Sequence, residues 1–318
     1  MEGESLSDKN RIQELDFLKC IFIVLMVMFH LVYFSEKHLI IKQFVYTFHM
    51  PAFLLLSGYL VNVNKNAKSF FRGILWLLIP YAFMEASYVM MAARLPIREH
   101  IDQLTISLLL NKIFLHPIGP YWYLHTLIIC EICYYAIFQL KKMNTFSKFM
   151  VWGTLMYLLS LKNMEIVLFA NTLYFMIGTL IRQSKFSFLS VFQASFWSAI
   201  PLLILCFYPQ NFNRATLGGI AITFLIISFL LAIYRYIPQL IMQVTNFVGR
   251  NTLVILLFSP IFTILSKSLI PLFAFDASAV SFACTATILT IAGCFGVAYL
   301  SDTLKISRFF FGKEKVLR

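Results

Sequence analysis

Long apolar runs separated by short polar segments dominate the chain. A helix that spans the hydrocarbon core of a bilayer needs about 20 mostly apolar residues. Ten stretches approach that length: 15–35, 41–61, 73–93, 120–140, 146–161, 165–181, 187–208, 215–234, 249–270 and 279–303. The pattern predicts an all-α fold, a polytopic membrane helix bundle of about ten transmembrane helices.

The composition supports a membrane protein. Apolar residues make up 60% of the chain and charged residues 13%, against about 45–50% and about 25% in soluble domains. No linker or repeat interrupts the pattern, so we expect one integral membrane domain over residues 1–318. Within it, 1–14 is a polar N-terminal segment and 304–318 a basic tail. Residues 101–116 form an amphipathic stretch that suits a membrane interface.

The distribution of basic residues predicts the orientation. The net charge is +12, with 26 Lys and Arg. If the N-terminus is cytoplasmic, only eight of these lie on the opposite side: Lys37, Lys42, Arg94, Arg98, Lys112, Lys162, Arg214 and Lys267. This bias predicts that both termini are cytoplasmic and that the protein lies in the inner, or cytoplasmic, membrane. Because the basic residues occupy short loops and not one stripe, no nucleic-acid partner is predicted.

The first apolar segment carries three ionisable residues on one face. Lys19 and His30 are eleven positions apart, about three turns plus 20°, with a rise of about 16 Å. Asp16 lies on nearly the same face. With Lys19 at the cytoplasmic rim, His30 is expected near the middle of a core about 30 Å thick. Such residues indicate function, although His30 could instead form an interhelical hydrogen bond and Lys19 could reach the headgroups.

Further polar and aromatic residues lie within the other apolar segments. His49, at a depth similar to that of His30, could orient His30, bind an acceptor, or stabilise a kink at Pro51. Glu85 and Glu131 are buried by position, and either could fix the tautomer of His30. The remaining candidates are Trp122 and Tyr123, which suit an aromatic belt or sugar stacking, and Ser57 with Gly58, which favour close helix packing.

Several segments resemble one family of enzymes. They are LDFLKCIFIVLMVMFH (15–30), FHMPAFLLLSGY (48–59), LLIPY (77–81), YWYL (121–124) and GRNTL (249–253). Over nearly the whole chain the sequence resembles membrane-bound acyltransferase family 3, and in its second block the sugar O-acetylase, fucose 4-O-acetylase-like branch. The first two blocks are specific together, and the last three are individually weak.

The resemblance implies a reaction and roles for the candidate residues. The reaction is transfer of an acyl group, most often acetyl, from acyl-CoA to a hydroxyl of a cell-envelope or exported saccharide. His30 would be the general base or acyl carrier, and Lys19 and Arg72 would bind the donor's phosphates. Support or acceptor binding would involve Asp16, His49, Glu85, Trp122, Tyr123 and Glu131. Acyl-CoA is the expected co-substrate, the saccharide and the bilayer are the expected partners, and no metal is predicted.

Three positions depart from the family pattern. The basic residue before the His is most often Arg, whereas Lys19 keeps the charge without the bidentate fork. Arg72 stands eight residues before Pro80, where several basic residues often lie nearer. Ser259 occupies the position of a second His, ten residues after Gly249.

A transporter or flippase is the competing hypothesis. Ten helices with polar residues at mid-depth would also suit alternating access. The two halves of the sequence show no matching broken helices, however. The polar residues concentrate in the first two helices, which favours a localised reaction site and therefore an enzyme.

Overall fold

The computed structural model describes residues 11–94 and 100–317. These residues are mainly helical and contain no strand, which confirms the predicted all-α class. The longer helices are α1 (Gln13–His30), α2 (Leu39–Leu60), α3 (Ala67–Ala92), α4 (Ile106–Phe114), α5 (Trp122–Phe138), α6 (Thr145–Leu159), α7 (Phe169–Gln183), α8 (Ala199–Cys206), α9 (Leu217–Tyr234), α10 (Gln239–Arg250), α11 (Thr252–Leu265) and α12 (Val280–Thr303). The predicted cytoplasmic residues 1–10 and Arg318 lie outside the described ranges.

Short helical turns join these helices. They are Val32–Ser35, Gly119–Tyr121, Phe188–Val191, Phe196–Ser198, Pro209–Asn211, Ser266–Phe273 and Ser307–Phe310. The predicted amphipathic stretch 101–116 contains α4, whose Ile106, Leu110 and Phe114 side chains are exposed. An apolar row of this kind is typical of a helix that lies against lipid.

Six helical segments within the described residues are long and apolar enough to cross a membrane. They are Leu39–Leu60, Ala67–Ala92, Gly119–Phe138, Leu217–Tyr234, Thr252–Phe273 and Val280–Thr303. The protein is therefore an integral membrane protein, but the count of ten is not confirmed. The α1 helix carries Glu14, Asp16 and Lys19 in its first turns, and α6 and α7 have only 15 residues each. The predicted span 187–208 is broken and leaves Phe196–Cys206 as a shorter apolar helix.

The first predicted span, 15–35, is not one continuous helix. The α1 helix ends at His30, and Leu31 adopts extended backbone angles of φ −72° and ψ 98°. The Leu31 N–H donates to the Met28 carbonyl, three residues earlier, at 3.2 Å, which closes a tighter turn than that of a regular α-helix. His30 is thus the last residue of α1.

Close packing between α2 and α7 depends on two glycines. A Cβ atom on Gly58 would collide with the Phe175 carbonyl, and one on Gly178 would collide with the Leu55 carbonyl. The two backbones therefore approach more closely than larger residues would allow. This contact confirms the packing role predicted for Gly58.

Hydrogen bonds to loop carbonyls mark the two ends of the bundle. At the end where α1 begins, called here the Lys19 end, the Tyr135 hydroxyl donates to the Lys65 carbonyl at 2.9 Å. At the opposite end, called the His30 end, His38 Nε2 donates to the Ser278 carbonyl at 2.8 Å.

The topology of α6 can be tested directly. Reporter fusions after Lys142 and after Lys162 should report opposite sides of the membrane, because these residues flank α6. A paired alkaline phosphatase and green fluorescent protein assay provides the measurement. If both fusions report the same side, α6 does not cross the bilayer.

Candidate active site

A cluster of charges surrounds Asp16 at the Lys19 end. Asp16 is only 1% exposed. Its Oδ2 atom lies 2.5 Å from Arg11 Nε and 3.7 Å from Arg250 Nε, and its Oδ1 atom accepts a hydrogen bond from Lys19 Nζ at 3.1 Å. Three cations around one carboxylate leave an excess of positive charge at this end of the bundle.

A close approach of two backbones brings Arg250 into the cluster. Gly249 packs directly on Asp16, and a Cβ atom at Gly249 would collide with the Asp16 carbonyl oxygen. The sequence GRNTL thus has a structural explanation: its glycine permits contact between α10 and α1, and the next residue reaches the carboxylate. Sequence reasoning missed Arg11 and Arg250, which are distant from each other along the chain.

A cavity of about 370 Å³ opens beside the charge cluster. We call it the Lys19 cavity. Its polar lining includes Lys19, Lys65, Ser57, Tyr123 and Glu131, and most of the rest is apolar. The Ser57 and Tyr123 hydroxyls are hydrogen-bonded to each other across it at 2.9 Å. Two cations in a lining that is otherwise mainly apolar suit a ligand that combines an anionic group with a less polar part.

The structure does not place Arg72 in this cavity. Gly73, Ile74 and Leu77 of α3 line it, whereas Arg72 is exposed. Two positions on a helix separate side chains by about 200°, so Arg72 and Ile74 lie on opposite faces. Lys65, in the loop before α3, is the basic residue that joins Lys19 instead.

A second cavity, of about 280 Å³, lies at the His30 end. We call it the His30 cavity. Its polar lining includes His30, Ser35, Lys42, Tyr46, Tyr88, Ser259, Thr263 and Lys267. Ser259 is 2% exposed and faces the same cavity as His30. The residue that stands where a second His was expected is therefore part of this site.

Backbone carbonyls set the tautomers of the two imidazoles. His30 Nδ1 lies 2.6 Å from the Met26 carbonyl, and His49 Nδ1 lies 2.7 Å from the Val45 carbonyl. Because a carbonyl only accepts hydrogen bonds, each Nδ1 is the donor and each Nε2 carries the lone pair in the neutral ring. His30 lines a cavity, whereas His49 is 3% exposed and its Nε2 has no hydrogen-bond partner within the described ranges.

Neither carboxylate considered for the His30 tautomer fulfils that role. Glu85 is fully buried, and its Oε1 accepts from the Ile118 N–H at 2.7 Å, which fixes the loop before α5. Glu131 lines the Lys19 cavity instead. The Met26 carbonyl, four residues before His30 in α1, makes the contact that was predicted for a carboxylate side chain.

Tyr46 connects the two imidazoles. Its ring centroid lies 6.3 Å from that of His30 and 5.1 Å from that of His49, and its hydroxyl donates to the Phe29 carbonyl at 3.2 Å. Sequence reasoning did not single out this residue. Its spacing could have revealed it, because Tyr46 lies three positions before His49 and therefore on the same side of α2.

The adjacent aromatic residues Trp122 and Tyr123 line different cavities. Tyr123 is buried and lines the Lys19 cavity. Trp122 faces a separate groove, where the Arg214 guanidinium lies 5.4 Å from the centroid of its ring. Only Trp122 is therefore placed to meet a ligand that enters from the His30 end.

The apolar helices indicate a membrane-embedded protein, and the His30 cavity provides it with a candidate site for proton transfer. The family model described as an acyltransferase domain, Acyl_transf_3, matches residues 12–299. The chain belongs to acyltransferase family 3, as its sequence motifs indicated.

A curated relative and the solved structures add two findings. The chain is 32% identical over 131 residues to the nodulation protein NolL of Sinorhizobium fredii, a match that covers 38% of this chain. It spans 35% of the length of that relative. No solved structure matches the chain.

The charge cluster provides a test of stability. Replacing Asp16 with Asn should lower the free energy of unfolding by about 3 kcal/mol, because three cations would lose a buried counter-charge. Unfolding of the detergent-solubilised protein by added SDS provides the measurement. Glu14→Gln is the matched control, since it removes a nearby carboxylate that makes no ion pair with the described residues. Equal stability of the Asp16→Asn and Glu14→Gln variants would contradict a structural role for the cluster.

Proposed function

We propose that the protein transfers an acyl group, in the simplest case acetyl, from acyl-CoA to a hydroxyl of a cell-envelope or exported saccharide. Membership of the acyltransferase family supports acyl transfer in general. The observation that carries the proposal is that the His30 imidazole lines a cavity while its Nδ1 is held by the Met26 carbonyl. This arrangement leaves Nε2 for proton transfer.

The donor would bind at the Lys19 end. Coenzyme A combines charged phosphates with a long, flexible and less polar arm that ends in the thioester. The Lys19 cavity offers Lys19 and Lys65 beside an otherwise largely apolar lining, with Arg11 and Arg250 in the adjoining cluster. The cations would bind phosphate oxygens by charge-assisted hydrogen bonds, and the arm would extend along α1 towards His30.

The chemical step follows from the tautomer of His30. Nε2 would take the proton from the acceptor hydroxyl, and the resulting oxygen nucleophile would attack the thioester carbonyl. The carbon–sulfur bond breaks, the ester forms, and the thiolate leaves with a proton returned from His30. General-base assistance of this kind contributes about 10²–10⁴-fold. A route through a transient acyl-His30, in which Nε2 attacks the thioester first, uses the same atom.

Neighbouring groups would position the reactants. Ser259, buried in the same cavity, would hydrogen-bond the acceptor, and the Met26 carbonyl would stabilise the ring when it becomes protonated. The Tyr46 ring lies beside both His30 and His49 and would help to keep the His30 imidazole in position. The positive-inside rule would place the Lys19 end on the cytoplasmic side of the inner membrane, where acyl-CoA is made.

The proposed role of His30 can be tested by substitution. His30→Ala should reduce acyl transfer by 10²-fold or more, while acyl-CoA binding persists because Lys19 is untouched. His49→Ala should be milder, because His49 does not line the cavity. Transfer is measured with radiolabelled acetyl-CoA in membranes that contain the acceptor, and binding with the purified protein. A folded His30→Ala variant with near-normal transfer would contradict the mechanism.

The donor site has its own test. Lys19→Ala should weaken acetyl-CoA binding about ten-fold, the usual effect of losing one charge-assisted hydrogen bond, and Lys19→Arg should largely restore it. Arg72→Ala, which removes a cation from outside the cavity lining, should have the smaller effect. The control is Lys141→Ala, an exposed cation that does not line the cavity. Normal binding by Lys19→Ala would assign Lys19 only to the Asp16 cluster.

A further inference from the structure

A groove of about 350 Å³ lies beside the start of α5, apart from both cavities described above. We call it the Trp122 groove. Its polar lining includes His116, Trp122, His125, Glu165, Asn171 and Arg214. These residues come from the loops before α5, α7 and α9 and from the first turns of α5 and α7. Three separate segments of the chain thus converge on one concave surface.

Arg214 places a positive charge in the groove. Its guanidinium is half-buried and lies over the Trp122 ring, with 5.4 Å between the guanidinium carbon and the ring centroid. The ion pairs found among the described residues do not include it. Burial lowers the pKa of Arg214 from its usual value. A desolvated guanidinium held in one orientation by an aromatic ring favours an anionic oxygen ligand.

Asn171 supplies a second and independent feature of the same groove. This residue lines the groove, is only 3% exposed, and has an Oδ1 atom without a hydrogen-bond partner in the described ranges. Buried polar atoms are hydrogen-bonded in nearly all proteins, so an unsatisfied one beside a groove indicates a missing partner. An amide oxygen accepts hydrogen bonds, and the partner must therefore be a donor such as a hydroxyl.

The other polar groups of the lining have different roles. His116 and His125 are already held by the Met164 and Phe114 carbonyls at 3.0 and 2.9 Å. Glu165 is exposed and makes no ion pair with Arg214. The requirements for a ligand are therefore an anion for Arg214 and a hydroxyl for Asn171.

We propose that the Trp122 groove binds a hydroxylated anion, the carboxylate or phosphate group of an acidic sugar, through Arg214 and Asn171. The groove and the His30 cavity flank one short segment, because Gly119 and Pro120 line the cavity and Trp122 lines the groove. A saccharide of more than one unit would place its acidic unit in the groove and a neighbouring unit beside His30. The identity of this ligand as the acceptor rests on the acyltransferase function proposed above, whereas the anion site does not.

Direct binding without any acyl donor tests the site. The purified protein is placed in phosphatidylcholine nanodiscs and titrated calorimetrically with glucuronate, glucose 1-phosphate and uncharged glucose. At least one of the two anionic sugars should bind more tightly than glucose. Arg214→Gln should weaken that binding about ten-fold or more, Arg214→Lys should restore part of it, and Asn171→Ala should also weaken it. Lys162→Gln, which removes an exposed cation that lines none of the cavities, should bind as the wild type does.

Each result bears on the proposal. Equal affinity for glucose and both anionic sugars, or unchanged affinity in Arg214→Gln, would overturn the anion site. His30→Ala should retain sugar binding, so a failure of the transfer reaction would not be mistaken for a failure of the groove. Repeating the titration with phosphatidylglycerol in the nanodiscs distinguishes the source of the anion. If this lipid weakens sugar binding in the wild type but not in Arg214→Gln, the ligand is a lipid headgroup and the acceptor assignment is overturned.

Discussion

The buried carboxylate of Asp16 is the constraint on which the site depends. An ion at this depth is tolerated only with partners close by, and removing one partner from a buried pair is strongly destabilising. Asp16 therefore ties three segments together: the residues before α1 through Arg11, α1 itself through Lys19, and the end of α10 through Arg250. Once the start of α1 is fixed, the rise of about 1.5 Å per residue determines how far Lys19 lies from His30.

The other end of α1 is controlled by the backbone. The helix stops at His30, and the imidazole bonds to a carbonyl of its own last turns. His49 repeats the arrangement within α2. Both rings thus have a fixed tautomer without a buried carboxylate, which would add a second desolvated charge at this depth. Access distinguishes them, because His30 lines a cavity and His49 does not.

The sequence predicted what depends on local pattern. Apolar runs indicated the all-helical class, and a spacing of eleven placed Lys19 and His30 on one face. Contacts between distant segments could not be predicted, so the places of Arg250 beside Asp16 and of Arg214 over Trp122 emerged only from the fold. The break after His30 had no signal, because Leu31 is neither glycine nor proline. The pattern predicted ten spans, whereas length and composition support six among the described helices, because α1 carries charges in its first turns and α6 and α7 have only 15 residues each.

The separation of the two cavities limits what would have to cross the protein in the proposed reaction. The Lys19 cavity and the His30 cavity lie at opposite ends of α1, and buried aromatic residues such as Phe22 and Phe48 pack between those ends. Moving a phosphate or a saccharide through such a region would expose unpaired charges and hydroxyls to an apolar interior, at a cost of several kcal/mol for each group. An acyl group carries no charge and few polar atoms. Two sites that retain the charged phosphates at one end and the saccharide at the other, with only the uncharged arm and its acyl group between them, therefore fit the interior of the bundle better than transport of either substrate.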